Sequence, residues 1–475
     1  MLRIILPIIV LASLLGSLGL SSCRKTVNFS EGNLSFSKDT LVFDTVFTTI
    51  GSTTEQFKFY NNDKKTVNVE EIQLMGGENS PFRVNVDGLS GTDFTNMEIE
   101  GNDSLFVFVE VTLDANNANN PLVIEDSIRF RTNGVDQYVV LAVWGQDMYF
   151  HDNEYVEGTW PNDKPHVIYR SAVIDEDKTL TIQAGTQIYL HKNSRLTNYK
   201  GTLNIEGVLG NEVTFQGDRL ESLYDNVSGQ YYGILLYYAK ESKINYCNIK
   251  NGGIGIDVIS ADPGIPNGNK VLQITNSTIT NCAFYGMRLI SGGLTRAENC
   301  IISKNGIHAL AVFASDFNFN HCHLLGYSNA GSQTPAVGIS NTGYDYIGEF
   351  PYITNINEGE ITNSVVYGNL DTEFVIDTDD NNGGLTFNFN FIGNLIKSET
   401  VPTDSFFGVL GDNKWNEEPY FVNPTDNDFL YYSISPLHGG GNSAYLNTAG
   451  EPAFGIGING APRAATPDIG AYEIP

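Results

Sequence analysis

The chain has 475 residues, with 48 glycines, 11% aromatic and 17% charged residues, and a formal charge of −28. It is long enough for two or three domains, too apolar to be disordered, and suited to a β-rich fold with many turns. So acidic a chain repels nucleic acid and anionic lipid surfaces, and polyanionic glycans too unless divalent cations bridge the two.

Residues 1–22 read as a leader. Arg3 gives a positive start, an apolar run extends from Ile4 to Leu20, and Leu20-Ser21-Ser22-Cys23 follows. A plain secretory peptide ends in an Ala-x-Ala-like site, whereas here small residues run directly into a cysteine. The segment resembles the lipobox of bacterial lipoproteins. That implies cleavage before Cys23, lipidation of its thiol, and a place in the cell envelope as an outer-membrane lipoprotein facing periplasm or cell surface. Several acyl chains on one cysteine hold a protein on a membrane stably. An uncleaved anchor of marginal length is the alternative. Residues 23–40 then form a tether.

Residues 41–147 read as short alternating strands. Leu105-Phe-Val-Phe-Val-Glu-Val-Thr-Leu113 places Leu105, Val107, Val109, Val111 and Leu113 on one face, and Gln56-Phe-Lys-Phe-Tyr60 alternates too. Thr132-Asn133-Gly134 is a hairpin signal between two such runs. About seven strands over this length predict a β-sandwich. The pattern Phe43-Asp-Thr-Val-Phe47, Gly51-Ser-Thr-Thr54, Phe59-Tyr-Asn-Asn62, closing on Val143-Trp-Gly-Gln146, resembles immunoglobulin-like domains of the ASH type. The segment carries no catalytic motif, which leaves a spacer or a protein- or glycan-binding module.

Residues 150–475 follow a junction marked by Trp160-Pro161 and Pro165-His166. Thr179-Leu-Thr-Ile-Gln-Ala-Gly185 is echoed by Thr202-Leu-Asn-Ile-Glu-Gly207. Five later stretches place a small residue (Cys247, Ser277, Cys300, Cys322, Ser364) two positions before an aliphatic one, in steps of 30, 23, 22 and 42 residues. A second register, Gly233-Ile-Leu-Leu236, Gly255-Ile-Asp-Val258, Gly286-Met-Arg-Leu289, Ala309-Leu-Ala-Val312 and Gly338-Ile-Ser-Asn341, inserts almost in step with the first. Two strand registers that lengthen together mean a solenoid whose repeat is one coil with several faces. Cys247, Cys300 and Cys322 then form one inward column with Ser277 and Ser364. None of the four cysteines after Cys23 has the paired spacing of a zinc site.

With these repeats, the closing Ser435-Pro-Leu-His-Gly-Gly-Gly-Asn-Ser443 and Pro467-Asp-Ile-Gly-Ala-Tyr-Glu473 resemble the pectate-lyase-like superfamily. The implied fold is a single-stranded right-handed parallel β-helix with a C-terminal cap. The fold class is therefore all-β, a sandwich followed by a β-helix. Lyases on this scaffold use calcium held by Asp or Glu and an Arg or Lys base; its hydrolases use clustered Asp beside Gly-His-Gly and Arg-x-Lys. Gly-His-Gly and Arg-x-Lys are both absent from this chain, and the scaffold itself hosts many functions.

Four groups of residues carry possible chemistry. Asp257 and Arg288 share a register, one coil apart, and form either a lyase-like pair or a surface salt bridge worth under about 1 kcal/mol. Asp377-Thr-Asp379-Asp380-Asn381-Asn382-Gly383 gathers oxygen ligands at a turn. It begins like a calcium loop through Asp377, Asp379 and Asn381, though Asn382 and Asn388 stand where such a loop needs Gly and Glu. The turn also offers carboxylates to a hydrolase, or is simply solvated. Tyr224, Tyr231, Tyr232, Tyr237 and Tyr238 surround the insertion from Gly217 to Gln230, and aromatic faces with polar edges suit sugar rings. His321 and His323 flank the inward Cys322 and point outward, with no third zinc ligand evident. The leading expectation is a membrane-anchored lipoprotein whose β-helix binds polysaccharide or a surface protein without catalysis, with no nucleic-acid partner and no cofactor other than possible calcium. The alternative is a polysaccharide lyase or glycoside hydrolase.

Overall fold

The computed structural model describes residues 29–115, 122–259, 269–290, 292–328, 333–344, 351–381, 383–401, 412–445 and 455–475. Cys23 lies outside the described residues. The chain divides into two units between Gln146 and Asp147. No helix among the described residues is long and apolar enough to cross a membrane.

The first unit is a sandwich of two five-stranded sheets, ten strands where the alternation predicts about seven. The extra ones are short strands such as Ser35–Phe36 and Leu89–Gly91, which carry too few residues to show a period. In Ser104–Val111 the alternation holds: Val107, Val109 and Val111 are buried and Leu105 packs at the margin. Beside them in the same sheet are Phe57, Phe59 and Phe82, and facing them from the other sheet are Leu41, Phe43 and Phe130. Leu122–Thr132 and Val135–Gln146 form the hairpin, with Thr132 opposite Val135. Asn133 and Gly134 both adopt positive φ, of 52° and 73°, as the tight turn matching strand twist requires.

The second unit is a right-handed parallel β-helix, the hand that parallel crossovers adopt. Each full coil contributes one strand to each of three faces. The first face runs from Gly158–Trp160 through nine parallel strands to Phe387–Ile392. The second begins at Gln187–Leu190 and includes Cys247–Lys250, Ile301–Ser303, His323–Gly326 and Val365–Gly368. The third begins at Arg195–Tyr199 and includes Gly233–Tyr237, Ile254–Ile259, Tyr285–Ile290, His308–Phe313, Val337–Ser340 and Phe374–Asp377. Both registers read from the sequence are real ladders: Ile249 pairs with Ile279 and Ile279 with Ile302, while Ile256 pairs with Met287 and Met287 with Leu310. Inward side chains fill one continuous core.

The corner between first and second faces explains the asparagines in the repeat. One residue per coil turns left-handed there: Tyr246, Asn276, Asn299, His321, Asn363 and Gly393. Asparagine tolerates that backbone because its short amide bonds locally. The amides also bond up the stack, Asn276 Nδ2 donating to Asn245 Oδ1 at 2.9 Å and Asn299 Nδ2 to Asn276 Oδ1 at 3.0 Å. The next residue is small and points in at Cys247, Ser277, Cys300, Cys322 and Ser364, and a buried Asn394 takes the place after Gly393. Cys247, Cys300 and Cys322, with Cys282, are free, buried thiols. Burial pushes the Cys282 thiol up to about 12 and raises those of Cys247 and Cys322, so they pack as small hydrophobes.

The expected C-terminal cap sits elsewhere than at the end of the coil stack. Residues 419–445 and 455–475 lie along the flank, over the second face, as a strap. Phe421, Phe429, Tyr431, Leu437, Ile469 and Ala471 make a separate core with the outward Ile301, Leu325, Val365 and Leu395. Arg463, buried with Glu473, donates to Asn299 Oδ1 at 2.6 Å and so ties the strap to the asparagine corner. Asp468 accepts the Tyr431 hydroxyl at 2.7 Å and the Gly439 amide at 2.6 Å. At Gly470, φ is +96° and a Cβ would stand 2.7 Å from the His323 ring, so glycine is needed for both reasons.

The strap also corrects the expectation for His321 and His323. His323 does face outward from its strand, but both imidazoles are fully buried beneath the strap. Ala471 N–H donates to His323 Nδ1 at 3.2 Å, and Asn363 Nδ2 lies 3.2 Å from His321 Nε2. Both contacts suit neutral rings. Burial first, then the Arg463 charge, hold His321 well below the usual imidazole range and His323 at about 3. An unfolded imidazole binds its proton below pH ~6.5, which the folded one resists. Their contribution to stability is therefore complete above about pH 6.5 and is lost as pH falls toward 3. Urea denaturation at pH 7, 5.5 and 4.5 should show His323→Gln flattening the acid loss of stability, by up to about 1.4 kcal/mol per pH unit. Equal slopes in variant and parent would exclude a neutral, buried His323.

Candidate functional site

The third face carries an outward row of Thr197, Leu235, Asp257, Arg288, Ala311, Gly338 and Val375 in direct register. Asp257 and Arg288 therefore touch. Arg288 Nε donates to Asp257 Oδ1 at 2.9 Å and Nη2 to Oδ2 at 2.7 Å, a two-pronged contact that fixes the guanidinium plane. The Tyr232 hydroxyl donates to Oδ2 at 2.9 Å. Asp257 is fully buried and Arg288 keeps 25% of its side chain exposed. The pair is thus more than the surface salt bridge weighed from the sequence. Arg288 Nη1 has no acceptor among the described residues.

The bonding within this pair works against Arg288 serving as the base of a lyase. Burial works against the Arg288 charge, but the bonds to Asp257 outweigh it and raise its pKa above the usual guanidinium value. Asp257 is closed to a metal ion or a substrate. Burial, then the Asp257 charge, push the Tyr232 phenol up to about 12, so it stays protonated and donating.

Aromatic and cationic groups continue on both sides. The Arg195 guanidinium carbon lies 5.6 Å from the Tyr232 ring centre, and that of Arg288 lies 5.5 Å from Tyr285. Tyr285 stacks with His308 at 6.0 Å, and His308 Nδ1 bonds the Pro335 carbonyl at 2.6 Å. Arg195, Tyr285 and His308 occupy third-face strands in the ladder register. The repeat alignment that paired Asp257 with Arg288 also covers Tyr285 and His308, each one residue before a ladder position, and neither was singled out from the sequence.

The five sequence-adjacent tyrosines do not form one surface. Tyr231 is enclosed in the β-helix core, its hydroxyl donating to the Lys250 carbonyl at 2.9 Å, so it has no ring face for a ligand. Tyr232, its neighbour, turns to the third face. Tyr237 stacks on Tyr199 at 5.9 Å and meets Tyr238 at 4.4 Å, at the opposite edge of that face. Tyr224 belongs to a short turn in the insertion, with the Arg219 guanidinium 4.0 Å from its ring centre.

The acidic turn stands apart. Asp377 ends the last third-face strand, three rungs beyond Arg288, ~14 Å at ~4.8 Å per rung. Asp257 and Asp377 are then ~19 Å apart, beyond the ~6.5–9.5 Å of an inverting hydrolase. Asp379 Oδ1 accepts the Asn381 amide at 2.8 Å, and the Asp379 amide donates to Asn341 Oδ1 at 2.9 Å. Asp380 accepts backbone amides of Gly383 and Leu385 through its carbonyl. These bonds shape a turn. Among the described residues no three His, Cys, Asp or Glu side chains converge to hold a metal.

The first face has a feature that sequence reading passed over. Its outward row, Thr181, Asn204, Lys243, Gln273, Arg296, Asn318, Glu360 and Asn390, is polar at every rung. A bulge between Ile356 and Gly359 turns Glu358 out beside Glu360. Asn318 Nδ2 reaches Glu358 Oε1 at 3.0 Å and Glu360 Oε2 at 2.6 Å, and Arg296 Nη2 lies 3.4 Å from Glu358. Burial, then the Glu358 charge, raise the Glu360 carboxyl. Glu358 and Glu360 stand two apart, as alternation requires for one face, but neither was singled out from the sequence.

Asp257→Ala should destabilise the second unit by about 3 kcal/mol, the low end for a broken buried pair because Arg288 stays partly solvated. Adding Arg288→Met should restore most of it. Urea midpoints at constant slope measure both effects; a single variant within about 0.5 kcal/mol of the parent would show the pair to be only a surface contact.

No family model matches the chain, and no curated protein matches it. Among solved structures it is similar to a family 123 glycoside hydrolase from Clostridium perfringens, described for glycolipid glycan hydrolysis, at 9% identity and TM-score 0.18. That likeness covers 26% of this chain and 30% of the hydrolase, under a third of its length. It is similar to an ASH/PapD-like domain of human CEP192 at 11% identity and TM-score 0.17, over 27% of this chain and 94% of that domain. It is similar to the catalytic unit of a GH87 α-1,3-glucanase from Streptomyces thermodiastaticus at 10% identity and TM-score 0.21, over 76% of this chain and 89% of the glucanase. All three are distant, and the sandwich and β-helix stand on the strand pairing described above.

Proposed function

We propose that this protein is a cell-envelope lipoprotein whose β-helix binds a glycan on its third face without catalysis. One observation carries the binding reading: Asp257 locks Arg288 in a fixed plane beside the Tyr285 ring and also holds the Tyr232 hydroxyl, with no acceptor for Arg288 Nη1 among the described residues. A sugar has apolar ring faces and a rim of hydroxyls. Aromatic faces with fixed donors beside them complement both. The pair's lack of a free base or an open carboxylate supports binding over chemistry. A surface protein is the other partner that such a face could take, and the −28 charge speaks against nucleic acid.

A second reading, glycoside hydrolysis, is favoured by the first-face pair. Glu358 and Glu360 both lie within 3.0 Å of one Asn318 nitrogen, hence within ~6 Å of each other, near the ~5–5.5 Å of retaining hydrolases. Their environments also differ, Glu358 facing Arg296 while Glu360 is raised, as an acid and a nucleophile require.

One experiment weighs both. The protein is incubated with a panel of polysaccharides with and without calcium, reading retention and new reducing or unsaturated ends. Binding without product is expected. Tyr285→Ala and Arg195→Ala, which leave the Asp257–Arg288 pair intact, should each weaken retention about fivefold. Product formation that disappears in Glu360→Gln would replace the binding reading with the hydrolytic one.

Membrane attachment rests on Arg3, the apolar run and the small residues leading into Cys23. Radiolabelled palmitate should enter the parent protein, and Cys23→Ala should lose the label and leave the membrane fraction. A Cys23→Ala protein that stays labelled and membrane-bound would refute lipidation at that thiol. The membrane face on which the chain is displayed is open to protease protection in whole cells.

A further inference from the structure

We infer that the first unit holds a second carbohydrate site, fitted to a neutral sugar, on the outer face of the sheet containing Ser104–Val111. A groove of about 490 Å³ lies there, within the ~300–1,000 Å³ of small-ligand pockets.

The strand alternation that buries Val107, Val109 and Val111 turns Phe106 and Phe108 outward. Their rings lie side by side, centres 5.7 Å apart and planes 14° apart. The Lys58 ammonium sits 4.2 Å over the Phe106 ring and occupies that face. Phe108 is left 36% exposed and lines the groove. Solubility would favour a polar residue here, as at Ser104 and Glu110 on the same side of the strand.

The groups around the ring are already positioned. Arg83 Nη1 donates to the carbonyls of Ser80 at 2.7 Å and Phe82 at 3.0 Å, which fixes the guanidinium and leaves Nη2 without an acceptor among the described residues. The Asn85 amide is held at both ends, Nδ2 donating to Ser90 Oγ at 3.0 Å and Oδ1 accepting the Gly88 amide at 2.9 Å. Glu78 and Glu110 complete the lining as acceptors. Two carboxylates against one guanidinium leave the groove net negative, and the chain is −28 overall, so an anionic sugar is disfavoured. The many donors and acceptors disfavour a purely apolar guest. A pyranose ring laying its C–H face on Phe108, with hydroxyls toward Arg83, Asn85 and Glu110, satisfies ring and rim together.

The test uses the full chain in a Tyr285→Ala background, which weakens the third face and keeps the two sites distinguishable. The probes are cellotriose, laminaritriose, mannotriose and maltotriose, read by saturation-transfer NMR and titration. At least one should bind. Phe108→Ala should weaken it fivefold or more and Asn85→Ala severalfold, while Phe108→Tyr stays within about twofold because it keeps the ring face. Thermal midpoints should match, since the side chain is outward. Equal affinity in Phe108→Ala, failure of all four probes to bind, or binding to charged oligosaccharides or extended peptides only would each overturn the assignment. Loss at Phe108 with the third face inert would leave this site standing alone.

Discussion

Every part of the second unit depends on the pairing of each coil's backbone with the coils above and below, ~4.8 Å away. A single coil has no way to cover its own apolar side chains, so neighbouring coils supply both the hydrogen bonds and the core. That pairing fixes register along the whole stack. An extra residue inside a strand would break every bond beyond it, so additional chain is expelled at the corners. The segment between Val213–Gly217 and Gly233–Tyr237 leaves in this way without disturbing the ladder on either side. The bulge at Ile356 is the tolerated exception, and it turns Glu358 outward.

The three faces have different fates because different things cover them. The second face holds outward Ile301, Leu325, Val365 and Leu395, which would be an exposed apolar patch without the strap. Residues 419–445 and 455–475 cover them and bury His321, His323 and Arg463 in the process. Arg463 is affordable there because Glu473 and Asn299 accept its bonds. The first and third faces keep polar or mixed outward rows, so recognition has to be sought on them and at the corners beside them.

The sequence showed the ladder because inward positions obey a strict period. Cys247, Ser277, Cys300 and Cys322 repeat, and Asp257 could be set against Arg288 by counting from Gly255 and Gly286. It could not show what lies over a given outward side chain. Asp257 looks like a surface residue by register, yet Tyr232 and Arg288 close over it. Tyr231 and Tyr232 are chemically alike and adjacent, but they lead into the Gly233–Tyr237 strand on opposite sides, and Tyr231 goes to the core. His321 and His323 face outward as alternation requires, but the strap that buries them comes from more than a hundred residues downstream. The motif Pro467-Asp-Ile-Gly-Ala-Tyr-Glu473 was visible as a terminal element, and its place on the flank was not, because that depends on apolar partners scattered over four coils. Glu358 and Glu360 share a face by their two-residue spacing, but the sequence did not show that Asn318 and Arg296 would stand beside them.

On the proposed binding reading, the Asp257–Arg288 pair bears on the kind of ligand that would suit the third face. Its two charges cancel, so the surface meets a guanidinium whose field is neutralised from beneath. Nη1 remains a strong, well-oriented donor, but it exerts little long-range pull on an anion. Tyr232 spends its proton on Asp257, which leaves the phenol oxygen able to accept. A donor and an acceptor, each fixed by the same buried carboxylate, would together suit a hydroxyl group, which needs one of each. A carboxylate or sulfate could use only the donor. A preference for hydroxyls over anions is therefore what the proposed binding reading predicts from the place of Asp257.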